Sequence, residues 1–409
     1  MSVGYTPEME AWEAIAREEK RSKMRAKAEQ GDRPILYVAV TAHGFGHATR
    51  VASVVATLQK LWPTLLPVMV TRAPRWLLDS YLEQDFIYRP RSLDVGVVQG
   101  DSLFIDRQGT LDRLQDIRQQ SQSLLAAEAG FIKQMSVKNG RVVLILADLP
   151  PLAAALGELT GIPCWAMGNF GWDFIYRDWG DPFAGEVAWI QEQFGKCDRL
   201  FRLPFHEPMA SFPTITDVGL TGGSPRLTPD ELREQLRIPE VPKERTILLT
   251  FGGLGLDAIP YDRLTHFPDW HFLTFDRNAP ELPNLTRIAD PVDPSQATRD
   301  YRPVDLFPLC GKIVSKPGYS TFSEACRFDM PIISIERQGF AEAPILLEGL
   351  QNYAHHQIVD GPQFFEGDWN FLKDDPLPPR IGSEGLDKNG NQAIARAIIE
   401  GFRDRPKPE

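Results

Sequence analysis

The chain has 409 residues, 43% of them hydrophobic and 24% charged, with a formal net charge of −11. This is a globular composition on a chain long enough for two domains, and its acidic balance argues against a general nucleic-acid binder, which needs a broad basic surface. Cys164, Cys197, Cys310 and Cys326 are widely spaced without CxxC pairing, no apolar run reaches the roughly 18 to 20 residues of a membrane span, and the N-terminus lacks an apolar signal core, so a cytoplasmic protein with reduced thiols is expected.

Residues 1–30 read as a separate helical extension, because Glu8 to Gln30 is rich in Glu, Lys, Arg and Ala and holds no Gly or Pro. Its basic cluster, Arg17, Lys20, Arg21, Lys23, Arg25 and Lys27, suits a solvated helix or a weak peripheral contact with an anionic membrane. From Pro34 onward short apolar runs alternate with amphipathic ones. Strands are predicted at 35–40, 66–71, 142–147, 163–167 and 200–203, with helices at 47–61, 75–82, 111–135, 152–160 and 186–194. That alternation implies βαβ units and a parallel sheet.

Proline and glycine then crowd His206 to Pro229, which reads as an interdomain linker. A second series follows, with strands at 246–251, 271–275, 286–288, 312–315 and 332–335 and helices near 259–266, 304–308, 320–328 and 343–352. The expected organisation is α/β: a domain at 31–215, a second at 216–390, and a C-terminal helix and tail at 391–409. Ligands bind such doubly wound sheets at the carboxyl ends of the strands, which puts the active site in the cleft between the domains.

The turn Thr41-Ala42-His43-Gly44-Phe45-Gly46-His47-Ala48-Thr49-Arg50 joins the first strand to the first helix. Its glycines let backbone N–H groups approach an anion, and its two histidines add acid/base capacity. A dinucleotide site does not fit, since Thr49 stands where a third glycine belongs and no acidic residue ends the next strand at Val70-Thr71-Arg72; a Walker A loop is absent.

In the second series, Phe251-Gly252-Gly253-Leu254-Gly255 can bring backbone amides against a diphosphate. The run Ser315-Lys316-Pro317-Gly318-Tyr319-Ser320-Thr321-Phe322-Ser323-Glu324 passes from a strand through a turn into a helix. Ser320 or Thr321 can cap that helix and leave N–H groups for a phosphate, while Glu324 either takes ribose hydroxyls or closes its own helix as a capping-box glutamate. Trp172, Asp173 and Tyr176 combine aromatics with a carboxylate, as sugar-binding sites do, or pack an interface. No DxD triplet occurs, and no metal is expected.

These segments resemble a GT-B glycosyltransferase, with closer similarity to the glycosyltransferase-like N-terminal region of plant L-arabinokinases. The similarity rests on Thr41 to Arg50, Val98 to Leu103, Asn169 to Tyr176, Phe251-Gly252-Gly253 and Phe340 to Pro344, and spans about residues 34 to 403. No kinase segment follows those blocks, so sugar phosphorylation is not expected.

The resemblance implies two Rossmann-like domains, a nucleotide sugar (usually UDP-linked) in the C-terminal half, an acceptor in the N-terminal half, and inverting transfer without a metal or other cofactor. It matches His47 to the catalytic base, with His43 as rival, and Asp148 or Asp101 is the carboxylate that would hold the imidazole. Donor contacts fall to Gly252, Gly253, Lys316, Gly318, Ser320, Thr321, Glu324 and Glu342. Acceptor contacts fall to Gly44, Phe45, Gly46, Asn169, Trp172 and Asp173. A nucleotide-sugar or sugar binding module without turnover is the second reading, and a nucleotide-sugar epimerase on the same fold the third.

Overall fold

The computed structural model of the protein describes residues 33–41, 43–100, 105–253, 255–256, 259–288 and 301–403. The expected N-terminal helix of residues 1–30, its membrane contact, and Asp101 lie outside these residues.

Ile35–Val40 is apolar and buried at all six positions, the pattern of a central parallel strand covered on both faces. The first half runs β1 (Ile35–Val40), α1 (Gly46–Leu61), β2 (Leu66–Val70), α2 (Arg75–Asp79), β3 (Ile87–Arg89), β4 (Val98–Gln99), β5 (Ile105–Asp106), α3 (Arg107–Lys138), β6 (Val142–Asp148), α4 (Pro151–Thr160), β7 (Cys164–Gly168), α5 (Trp172–Arg177), α6 (Ala184–Phe194), β8 (Arg199–Arg202) and β9 (Ile215–Asp217). Seven strands form one sheet in the order β3-β2-β1-β6-β7-β8-β9, parallel throughout, while β4 and β5 make a separate antiparallel pair.

The second half runs α7 (Pro229–Leu236), β10 (Thr246–Thr250), β11 (His271–Thr274), β12 (Leu285–Arg287), β13 (Lys312–Ser315), α8 (Tyr319–Arg327), β14 (Ile332–Ile335), α9 (Glu342–Tyr353), β15 (His356–Val359), α10 (Gly361–Phe365) and α11 (Gly390–Phe402). Its parallel sheet has the order β12-β11-β10-β13-β14-β15. One core joins the halves: Val51 and Leu58 of α1 share it with Phe322 and Cys326 of α8 and Ile394 of α11. The final helix, α11, thereby packs on α1 of the first half.

Several expectations change in the structure. The proline- and glycine-rich segment 206–229 is not all connection, because β9 lies within it and extends the first sheet beside β8. The helices expected near 259–266 and 304–308 are 3-10 turns at Tyr261–His266 and Pro303–Leu306. Strands β3 and β9, three residues each, are too short to show an alternating pattern, and β15 was not among the expected strands. Helix α7 carried a readable signal: Thr228 accepts from the Glu231 N–H while the Glu231 side chain returns to the Thr228 N–H.

Candidate active site

In each sheet two neighbouring strands feed connections in opposite directions, and a crevice opens at their carboxyl ends. In the first sheet these are β1 and β6, with Val40 opposite Asp148; in the second they are β10 and β13, with Thr250 opposite Ser315. The two crevices face each other across a cavity of about 480 Å³. His43, Gly44, Phe45, Gly46, His47 and Arg50 line one wall, and Gly252, Gly253, Lys316, Gly318, Ser320, Thr321, Glu324 and Glu342 line the other.

Gly44 takes a φ of +64°, and this left-handed step turns the chain from β1 into α1. His47 and Arg50, three residues apart on α1, share a helix face and meet Asp148 at the end of β6. His47 Nδ1 lies 2.9 Å from Asp148 Oδ1. Arg50 grips the same carboxylate at two points, Nε to Oδ2 at 2.5 Å and Nη2 to Oδ1 at 2.6 Å. Asp148 is fully buried and Arg50 only 2% exposed.

Beyond them, Arg50 Nη1 donates to Asn169 Oδ1 at 2.7 Å, and Asn169 Nδ2 donates to Glu342 Oε1 at 2.7 Å. A continuous polar chain thus crosses the cleft. Arg50 was missed in the sequence, although a lone arginine on the face of α1 that carries Val51 and Val54 is itself a sign of a buried partner.

The partners of each ring nitrogen bear on the tautomers. His47 Nδ1 faces two partners, Asp148 Oδ1 at 2.9 Å, which suits an Nδ1–H, and Arg50 Nη2 at 3.0 Å, which suits a bare Nδ1; the Nδ1–H form leaves Nε2 as an acceptor. His43 has the opposite arrangement: its Nδ1 accepts from the Val97 N–H at 3.3 Å, so in the neutral ring Nε2 holds the proton.

Burial lowers the pKa of both imidazoles. At His47 Asp148 works against the shift and Arg50 adds to it; at His43 a protonated His47 and the positive groups Lys316 and Arg337 add to it. Burial alone would raise the Asp148 carboxyl, but Arg50 and His47 outweigh it and hold it below the usual carboxylate range.

Aromatic rings back the histidines. Trp172 meets His43 edge-on at 5.4 Å, Phe170 meets His47 edge-on at 5.7 Å, and Phe340 stacks on His43 at 6.2 Å. Trp172 and Asp173, expected on the acceptor side, do not line the cavity. Trp172 is buried beneath the histidines with its Nε1–H on Asp94, and Asp173, one helix step further, turns to the α5–α6 packing, where it accepts from Ser211 Oγ at 2.8 Å. Asn169 is buried behind the wall. Phe170, Trp76 and Arg337, which line the cavity, were not singled out in the sequence.

On the opposite wall, Gly318 is the N-cap of α8, and no side chain caps its first N–H groups. The capping expected of Ser320 or Thr321 is absent because both lie inside the helix. Ser320 instead donates from Oγ to the Gly46 carbonyl at 2.7 Å, joining the two walls. Lys316 lies against Gly252, and the Phe45 ring occupies the space where a Gly253 side chain would stand. Glu324 does not close its own helix, since it sits too far along α8. Its Oε1 accepts from the Gly223 N–H at 2.8 Å, and burial raises its pKa against that bond and the pull of Arg302 and Arg327. Among the described residues no group of three or more His, Cys, Asp or Glu is placed to hold a metal, and no helix is long and apolar enough to cross a membrane.

No family model matches the chain. It is 30% identical over 325 residues to an L-arabinokinase of Arabidopsis thaliana, which covers 77% of this chain and 29% of that protein. The chain thus spans about three-tenths of the length of the curated relative it matches.

Among solved structures, a glycotransferase of kitacinnamycin superposes with a TM-score of 0.57 at 14% identity, covering 91% of this chain and 99% of the other. A UDP-glucosyltransferase from Polygonum tinctorium gives 0.54 at 14% identity, covering 91% and 93%. A UDP-glucose:anthocyanidin 3-O-glucosyltransferase in complex with UDP gives 0.53 at 10% identity, covering 91% and 95%. With two Rossmann-like parallel sheets facing one cleft, the chain has the GT-B fold.

Proposed function

We propose that the protein is a glycosyltransferase that moves a sugar from a nucleotide-diphosphate donor, UDP-linked, to a hydroxyl acceptor with inversion at the anomeric carbon. The observation that carries this reading is the His47–Asp148 pair standing across one cavity from the uncapped start of α8. Solved structures of similar fold bound to UDP or named for UDP-glucose transfer support the choice of donor.

In this reading His47 Nε2 takes the proton of the acceptor hydroxyl as its oxygen attacks the anomeric carbon. The new C–O bond forms as the bond to the diphosphate breaks, and that electron pair leaves with the diphosphate. The His47 Nδ1–H stays on Asp148, which fixes the ring. The N–H groups of α8 and the Lys316 ammonium meet the charge that develops on the leaving group, a task that needs no metal or cofactor. Glu324 is the ribose ligand and Glu342 the donor-sugar ligand. Gly44, Phe45 and Gly46 border the acceptor.

His47 is the base in this reading because Asp148 can hold its Nδ1–H and leave Nε2 to accept, whereas a His43 ring whose Nδ1 accepts from Val97 offers only an N–H at Nε2. Sugar phosphorylation, suggested by the relative's name, is not proposed.

The test is calorimetry with UDP and a panel of UDP-sugars, followed by detection of released UDP with mixed hydroxyl acceptors. Binding with turnover supports the reading. Selective binding that never gives turnover favours the binding module, and no nucleotide binding overturns both.

A further inference from the structure

We propose that Arg50 is a positioning residue that takes up the charge of Asp148, so that His47 stays neutral in the empty cleft and gains proton affinity when an anionic donor enters. This rests on the reading of His47 as the base, but its main test does not require turnover.

The geometry leaves Asp148 little to offer as a counter-charge. Arg50 contacts both carboxylate oxygens, at 2.5 and 2.6 Å, and its Nη2 also lies 3.0 Å from His47 Nδ1, which faces one of those oxygens at 2.9 Å. With a neutral imidazole, the group of one guanidinium, one carboxylate and one ring has no net charge. Proton uptake at Nε2 makes it positive in a place with little access to water, a state that burial penalises.

A simple carboxylate–imidazole pair behaves differently. It begins negative and becomes neutral on protonation. Arg50 therefore converts Asp148 from a group that would charge the ring into one that mainly orients it.

The charged and titratable groups around His47 divide by sign. Arg50, on α1, opposes a positive charge there, and Asp148, at the end of β6, and Glu342, at the start of α9, favour it; His43, on the same turn, has its ring 6.4 Å from that of His47. Glu342 is partly spent on Asn169, which Arg50 also holds. Lys316 and Arg337 face His43 and add further positive potential to the cleft. A diphosphate against α8 and Lys316 supplies the missing negative charge at the moment a base is needed.

The experiment follows the His47 ring by long-range 1H–15N NMR of the full chain, its resonances assigned by their loss in His47→Gln. In the free protein, Arg50→Met should raise the His47 titration midpoint by about one pH unit or more, the scale of removing an adjacent like charge. Its nitrogen shifts at neutral pH should report Nδ1–H, Nε2-acceptor in the wild type. Equal midpoints in the two proteins overturn the proposal.

Arg50→Lys, which keeps the charge but loses the two-point grip, is the second variant should Arg50→Met not fold. A midpoint between wild type and one unit above it supports the proposal, and one at or below wild type overturns it. UDP added to the wild type should raise the midpoint as well, and UDP that binds without moving it overturns the coupling to the donor. Failure of UDP to bind at all counts against the glycosyl-transfer reading and leaves the comparison of free proteins to decide the role of Arg50.

Discussion

Asn169 and Glu342 lie 173 positions apart in the chain, yet the Asn169 amide donates to the Glu342 carboxylate at 2.7 Å while its oxygen receives Arg50. This one side chain ties the end of β7 to the start of α9 and closes the cleft at its base. Asn169→Ala leaves a buried guanidinium and a buried carboxylate each short of a partner. The loss is expected to cost about 1.5 to 3 kcal/mol, the scale of hydrogen bonds to charged groups, read by urea unfolding. An unchanged unfolding midpoint would mean that water replaces the amide without penalty.

His47→Ala should lower turnover by roughly 10² to 10⁴ with donor affinity nearly intact, since a base acts in the transition state and not on the bound donor. His43→Ala is expected to cost less. Calorimetry paired with released-UDP kinetics separates the two effects, and a greater loss in His43→Ala would reverse the assignment.

Burial lowers the pKa of His43, His47 and His271 in the folded protein below the usual histidine value near 6.5. In the unfolded chain these rings take protons first. Stability is therefore present in full above about pH 6.5 and falls as the pH drops from there toward the lowered folded values. Urea unfolding at pH 7.5 and pH 5.5 should give a smaller free energy at the lower pH, and His47→Gln should flatten the difference. An unchanged difference in His47→Gln contradicts a buried neutral ring at that position, whereas the raised carboxyls of Glu207 and Glu324 act on the total profile in the opposite sense.

Gly253→Ala forces a methyl group onto the Phe45 ring, whose nearest atom lies 2.3 Å from the position of the new carbon. Overpacking of this kind costs about 1 to 3 kcal/mol. The penalty should shrink in a Phe45→Ala background, because the three atoms nearest the new carbon all belong to that ring. A double-mutant cycle by thermal unfolding measures it, and additive losses would place the strain elsewhere.

Glu324→Ala should weaken UDP binding by about 1.5 to 3 kcal/mol if its carboxylate holds the ribose. Because the same carboxylate receives the Gly223 N–H, Glu324→Gln provides the control. It keeps an oxygen for Gly223 and should fold normally. Equal UDP affinity in wild type and Glu324→Ala removes the residue from the donor site.

Much of the fold was legible because buried parallel strands are continuous apolar runs. Ile35 to Val40, Lys312 to Ser315 and Ile332 to Ile335 stand where the pattern places them. Asp148 was visible as an acid at a strand end, and the strand order brings it beside the His47 turn.

What escaped depended on contacts distant in sequence. Whether Trp172 faces solvent or packs under His43 depends on where α5 begins and what lies above it. Arg50 has no local pattern, since its meaning comes from a carboxylate 98 residues away. Strand β9 was hidden because three residues between prolines and glycines carry no periodicity, and only pairing with β8 makes them a strand.

The chain passes between the two halves after β9 and again before α11, and these two passages are bonded to each other: the Leu220 N–H donates to the Asp387 carbonyl at 2.7 Å, and the Gly390 N–H to the Leu220 carbonyl at 3.0 Å. Ser323 of α8 also donates from Oγ to the Thr221 carbonyl, fixing the first passage to the second half. A single tether would act as a swivel, free to twist and translate. Two bonded tethers resist that twisting and hold His47 in register with α8.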